Sequence, residues 1–170
     1  MDESIVVRVG RLLVEHDMKL VVAESCTGGL IGHLITNVQG SSQYYLGGIV
    51  AYSYDAKRQL LGVSAQTLND HGAVSRETVL EMANGVRQIF SGENPPEKII
   101  AVSVSGIAGP DGAQPGKPVG LVWIGISSAK GDWAFAYHGT GDRIQNKLYS
   151  AQCALELVTR CLEGELPILD

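Results

Sequence analysis

The sequence predicts a three-layer α/β/α sandwich on a mixed, mostly parallel sheet of about five strands. Three observations lead there. Short apolar runs alternate with longer stretches of helical period. The early runs follow a β-α-β order, which implies parallel pairing. The last two runs flank Lys130-Gly131, a hairpin signal that turns the end of the sheet antiparallel. At 170 residues the chain reads as one domain, 1–170, large enough to bury a core without staples.

The elements follow in order. Glu3 to Glu15 carries Ile5, Val6, Val9, Leu12 and Leu13 on one helical face. A first strand over 19–24 leads into a helix expected from Thr27 to about Thr36. Gly40-Ser41-Ser42 reads as a turn, and a second strand runs through Gly48 to Tyr52. Short helices are expected over Asp55 to Leu61 and around Thr67 to His71, the latter stopped by Gly72. Ser75 is placed to cap a long helix reaching Phe90, with Val79, Met82, Ala83, Val86 and Ile89 as its buried stripe. Asn94-Pro95-Pro96 breaks the chain, and the almost wholly apolar run Lys98 to Ser105 is a strand buried on both faces. A loop rich in glycine and proline follows, from Gly106 to Pro118. Strands over 119–128 and 132–138 form the hairpin, and a last helix spans Arg143 to Leu162 with Ile144, Leu148, Ala151, Leu155 and Val158 inward.

Composition narrows the function. The net charge is −5, with no basic stripe and no interleaved aromatics, so nucleic acid is not expected as the main partner. No apolar run approaches the roughly 20 residues of a membrane span, and the acidic start Met1-Asp2-Glu3-Ser4 has no signal-peptide pattern. No membrane partner is expected, and the expected location is cytoplasmic. Cys26, Cys153 and Cys161 have no ligand spacing, and neither do the four histidines, so no metal and no cofactor are expected.

In a sheet of this kind the site lies beyond the carboxyl ends of the parallel strands. Three loops qualify: 24–29, 52–57 and 105–112. In the first, Ser25 stands where a strand turns into a helix, and the free N–H groups of a helix start favour an oxyanion. Ser25 is read either as a nucleophile or as a simple helix cap. Its neighbour Cys26 is expected to be a small buried hydrophobe whose backbone N–H is the useful part. In the second loop, Lys57 sits in a first helical turn, where the dipole and partial burial lower a lysine pKa and permit it to act as a base. The alternative is a solvated lysine paired with Asp55. Tyr52 and Tyr54 point the same way if the strand extends that far, to relay protons or to pack. In the third loop, Ser105 ends a strand and glycines permit close backbone approach to a ligand. Arg143 opens the last helix, as an anion clamp or as an ion-pair partner of Asp142.

Taken together, several motifs form an ordered set: Ala23-Glu24-Ser25-Cys26-Thr27-Gly28-Gly29, Gly40-Ser41-Ser42, Tyr52 with Lys57, His71-Gly72-Ala73-Val74-Ser75, Ser105 to Gly112, Lys117-Pro118-Val119-Gly120 and Gly141-Asp142-Arg143. From about residue 3 to 163 the chain resembles the C-terminal domain family of the competence/damage-inducible protein CinA, including its stand-alone amidase form. The resemblance implies an anticodon-binding-domain-like fold and hydrolysis of the carboxamide of nicotinamide mononucleotide, giving nicotinate mononucleotide and ammonia. By motif, Ser25 matches the nucleophile, Lys57 its base, and Tyr52 a tyrosine assisting that pair. Cys26, through its N–H, and Ser105 match positions around the oxyanion, with serine at 105 where threonine is common. Arg143 matches a substrate-contacting arginine, and Ser41 and Ser42 are further candidates for the substrate phosphate. The resemblance also implies a homo-oligomer whose partner is a small nucleotide. The N-terminal domain of longer members is absent from the sequence, and its activity is not expected. Two other readings stand beside the amidase: a non-catalytic nucleotide-binding module, and an interaction domain serving competence or the response to DNA damage.

Overall fold

The structure is a computed structural model that describes residues 3–167; the ends of the expected domain, 1–2 and 168–170, lie outside the described residues. Helix α1 (Glu3–Glu15) leads into β1 (Lys19–Glu24), α2 (Leu30–Thr36) and β2 (Tyr45–Val50). Then come α3 (Tyr54–Leu61), α4 (Ala65–His71), α5 (Arg76–Phe90) and β3 (Ile99–Gly106). The hairpin β4 (Leu121–Ser128) and β5 (Gly131–His138) precedes α6 (Arg143–Glu163).

The five strands lie in the order β2-β1-β3-β4-β5. β1 pairs in parallel with both β2 and β3, while β3–β4 and β4–β5 are antiparallel. Only β4 therefore opposes the direction of the other strands. The expected mixed α/β sandwich is the architecture observed.

Alternation along the strands divides the core. Leu20 and Val22 of β1, with Ile100, Val102 and Val104 of β3, join the cluster under α1, α2 and α6. Val21 and Ala23, with Ile99 and Ala101, join the cluster under α5 and its neighbours. The same parity carries past the strand end: Ser25 follows Val21 and Ala23 to the α3/α5 side, and Cys26 joins the other cluster. The parallel register sets Glu24 beside both Val50 and Val104, so the three candidate loops emerge together at one end of the sheet.

Four expectations need correction. α2 begins at Leu30 rather than Thr27, because Gly28 (φ 63°) and Gly29 (φ 94°) are left-handed and hold the chain in a turn. β2 runs over Tyr45–Val50 and not through Tyr52. A side chain at Gly48 would collide with Val22 of β1, so glycine is there for close strand approach. Ile89 is 52% exposed, because the helical period brings Phe90 onto the sheet in its place. Ile144 is 63% exposed, and the inward position of that first turn belongs to Asn146, which donates to Ala108 O at 3.0 Å.

Candidate active site

Ser25 stands one residue beyond β1, with its N–H donating to Val104 O at 3.0 Å, so the β1–β3 pairing holds it at the strand end. Lys57 reaches it from the fourth position of α3, a helix capped by Ser53 Oγ accepting from Ala56 N. Lys57 Nζ donates to Ser25 Oγ at 2.8 Å, to Ala51 O at 2.9 Å and to Tyr52 O at 3.4 Å. The lysine is 1% exposed, and burial lowers its pKa from 10.5 to about 8. The main cause is desolvation rather than the helix dipole. Asp55 faces Arg58, at 3.8 Å, and leaves Lys57 to the serine.

The two carbonyls decide what this lysine can do. A neutral amine has two N–H donors and one lone pair. Ala51 O and Tyr52 O accept the two hydrogens, which directs the lone pair at Ser25 Oγ. That is the geometry of a base on a hydroxyl.

Ser25 does not cap a helix, and the helix start beside it is not a free oxyanion hole. The N-cap of α2 is Gly29, with no side-chain cap at that position. The amides are taken by Glu24, a residue for which sequence reasoning found no role. Its carboxylate accepts from Gly29 N, Ile31 N and Gly32 N at 2.9, 3.1 and 2.9 Å and from Thr27 Oγ1 at 2.7 Å. A charged residue ending an apolar run before two glycines was the one available signal. Cys26 lines the cleft, and no backbone or side-chain partner takes its N–H among the described residues' hydrogen bonds. The Cys26 thiol is buried in the core cluster, and burial pushes its pKa up to about 12.

Ser25, Cys26, Tyr52, Lys57, Ser105 and Arg143 line one cleft of about 240 Å³. That is below the roughly 300–1,000 Å³ of pockets that enclose a whole drug-sized ligand. The cleft is therefore too small to enclose a drug-sized ligand whole. Ser105 is 1% exposed, and its hydroxyl donates to Ala73 O at 2.7 Å, tying β3 to the segment before α5. Arg143 donates to Gly109 O at 2.7 Å and to Tyr52 OH at 2.9 Å, a strap across the mouth. Asp142 is engaged elsewhere, capping α6 in a capping box with Gln145. Tyr52 is 60% exposed, so its phenol meets Arg143 and only its carbonyl meets Lys57. The Tyr54 hydroxyl has a different partner and accepts from Ala73 N at 3.2 Å. Ser41 and Ser42 lie in a 3-10 turn before β2, at the opposite end of the sheet from Ser25, and are not brought to the cleft.

The described residues hold no group of three or more His, Cys, Asp or Glu placed to bind a metal, and no helix long and apolar enough to cross a membrane.

Comparison with known proteins agrees with the fold. The model of the CinA C-terminal domain matches residues 2–162. The chain belongs to the CinA C-terminal domain family. It is 45% identical over 163 residues to a CinA-like protein of Thermotoga maritima, covering 96% of this chain and 38% of that protein. A CinA-like protein of Chlorobium limicola is 46% identical over 159 residues, covering 91% of this chain and 36% of that protein. The chain thus spans under two fifths of these relatives. The crystal structure of a CinA superfamily protein from Klebsiella pneumoniae superposes with a TM-score of 0.88 at 31% identity, covering 95% of this chain and 98% of that one. A competence/damage inducible protein from Agrobacterium tumefaciens gives a TM-score of 0.79 at 36% identity, covering 94% and 95%.

Proposed function

We propose that this chain hydrolyses the carboxamide of nicotinamide mononucleotide to nicotinate mononucleotide and ammonia, with Ser25 as nucleophile and Lys57 as its base. The observation that carries the chemistry is the buried 2.8 Å contact between Lys57 Nζ and Ser25 Oγ, flanked by two carbonyls that orient the amine. The substrate comes from the family resemblance, and the size of the cleft is compatible with a pyridine carboxamide entering it while the ribose phosphate stays outside.

The serine–lysine contact supports the following steps. Neutral Lys57 takes the Ser25 proton as Oγ attacks the carboxamide carbon. The oxyanion forms beside Cys26 N–H. Lys57 returns its proton to the leaving nitrogen, ammonia departs, and an acyl-serine remains. A water then attacks that ester, its proton passing to Lys57 and on to Ser25 Oγ as the acid leaves. Proton transfer of this kind contributes about 10²–10⁴-fold. Arg143 and Tyr52 contact the part of the substrate that projects from the mouth. The same reading places the enzyme in the cytoplasm as a homo-oligomer acting on a small nucleotide, with no nucleic acid involved.

The test is ammonia release from nicotinamide mononucleotide by wild type, Ser25→Ala and Lys57→Ala. Release by wild type and its loss in both variants is expected. Binding without release would favour a nucleotide-binding module, and neither would favour an interaction domain. If Ser25→Ala kept full activity and Cys26→Ala lost it, the nucleophile would be the cysteine.

A further inference from the structure

Glu24 is 1% exposed and immediately precedes the nucleophile. Carboxylates are rarely buried unless something satisfies them. Here four donors do so. Oε2 accepts from Thr27 Oγ1, Gly29 N and Ile31 N, and Oε1 accepts from Gly32 N. These partners span the turn and the start of α2, and Thr27 is itself fully buried. The carboxylate therefore gathers the segment 27–32 around a point next to Ser25.

The other ties of that turn are few. Ser25 N donates to Val104 O, and Gly28 N donates to Ser25 O, each at 3.0 Å. They fix the backbone of Ser25 and close a β-turn over Cys26 and Thr27, but leave the path from that turn into α2 untied. The left-handed glycines at 28 and 29 leave that path soft on its own. Glu24 supplies the missing constraint, and its chosen donors leave out Cys26 N–H.

We propose that Glu24 is a positioning residue for the Ser25–Lys57 pair: by gathering the Thr27 hydroxyl and the α2 amides, its carboxylate holds Ser25 Oγ against Lys57 Nζ and fixes the backbone of Cys26. It touches neither substrate nor the reacting atoms. The inference rests on the amidase reading for its kinetic form, and on the serine–lysine geometry alone for its chemical form.

Glutamine at 24 keeps one acceptor oxygen and turns an NH₂ toward a backbone N–H. Valine at 27 removes one donor and leaves Glu24 in place. For Glu24→Gln the expectation is a fall in kcat of about 10²-fold, the scale of a small misplacement of reacting groups. KM should stay within about twofold of wild type. Thr27→Val should fall in the same sense, and Thr27→Ser, which keeps the donor, should restore the rate. The limb of the pH–rate profile near 8 should move upward in both impaired variants, because a loosened turn admits water to Lys57. In parallel, sulfonylation of Ser25 by phenylmethylsulfonyl fluoride, in which the Oγ–S bond forms, fluoride leaves and the hydroxyl proton passes to Lys57, should slow in Glu24→Gln and Thr27→Val. The proposal is overturned if both variants keep kcat and labelling rate within about twofold of wild type, or if the whole loss follows the unfolded fraction with no shift in the pH profile. Absence of ammonia release by wild type would sink the amidase reading instead, and the labelling comparison would still decide the role of Glu24.

Discussion

Lys57 Nζ sits 2.8 Å from Ser25 Oγ, although the two residues are 32 positions apart and come from a helix and a strand end. Burial of that ammonium is the physical fact from which most of the expected behaviour follows. With its pKa lowered to about 8, a usable fraction of Lys57 is neutral near physiological pH.

The rate should depend on pH in one direction. Below about 8 the cation has no lone pair for the Ser25 proton, so kcat/KM should rise about tenfold per pH unit and level off above that value. Initial rates of ammonia release between pH 6 and 9.5 measure the limb. A flat profile would remove Lys57 as the base.

Stability should move the opposite way when the lysine is deleted. The folded pKa lies below the unfolded value of 10.5, so the unfolded chain holds one more proton between about 8 and 10.5, and wild type gains stability as pH rises through that window. At pH 7 the full penalty of the buried cation is present. Lys57→Met should be inactive yet more stable than wild type at pH 7, by about 1–2 kcal/mol after the loss of its hydrogen bonds. By pH 9.5 that advantage should shrink by about 2 kcal/mol. Urea unfolding of both proteins at the two pH values isolates this group, since other titrations cancel in the difference.

Cys26 should be dispensable as a thiol. Its thiol is pushed up to about 12 and packed in the core, and the role proposed for Cys26 belongs to its backbone N–H. Cys26→Ala should keep the rate within about threefold, and iodoacetamide at pH 8 should leave the native protein active, because the thiolate is the reactive species. Rapid inactivation that requires Cys26 would contradict the assignment.

The strap at the mouth should act on binding. Arg143→Ala removes both bonds, to Gly109 O and Tyr52 OH, and Tyr52→Phe removes one. A rise in KM of about tenfold for Arg143→Ala, less for Tyr52→Phe, with kcat held within about threefold, is the expected split. Arg143→Lys should not restore KM, because a single ammonium does not reproduce the planar fork that spans two acceptors. A fall in kcat with KM unchanged would place Arg143 in the chemical step.

Much of this was legible in the sequence, and for a local reason. Strand parity alone puts Ser25 on the face of Val21 and Ala23, and apolar periodicity places β1, β3 and α5 within a residue or two of their observed limits. The family motifs name the serine, the lysine and the arginine. Glu24 stayed without a role because its partners are backbone amides, which carry no residue-type signal. Alternation could not settle the directions of Tyr52 and Tyr54, because β2 ends at Val50 and the strand does not extend to them. Ser41 and Ser42 were candidates by motif order, which says nothing about which end of the sheet a turn occupies.

The sequence by itself determined the layer order, the parallel core and the hydroxyl at the end of β1, since these follow from alternation and turn chemistry within short windows. Only the tertiary structure decided that Lys57 is buried rather than solvated, that two carbonyls aim it at Ser25, and that the start of α2 is filled by Glu24. Desolvation and the direction of a lone pair depend on what packs around a group, and those neighbours arrive from segments distant in sequence.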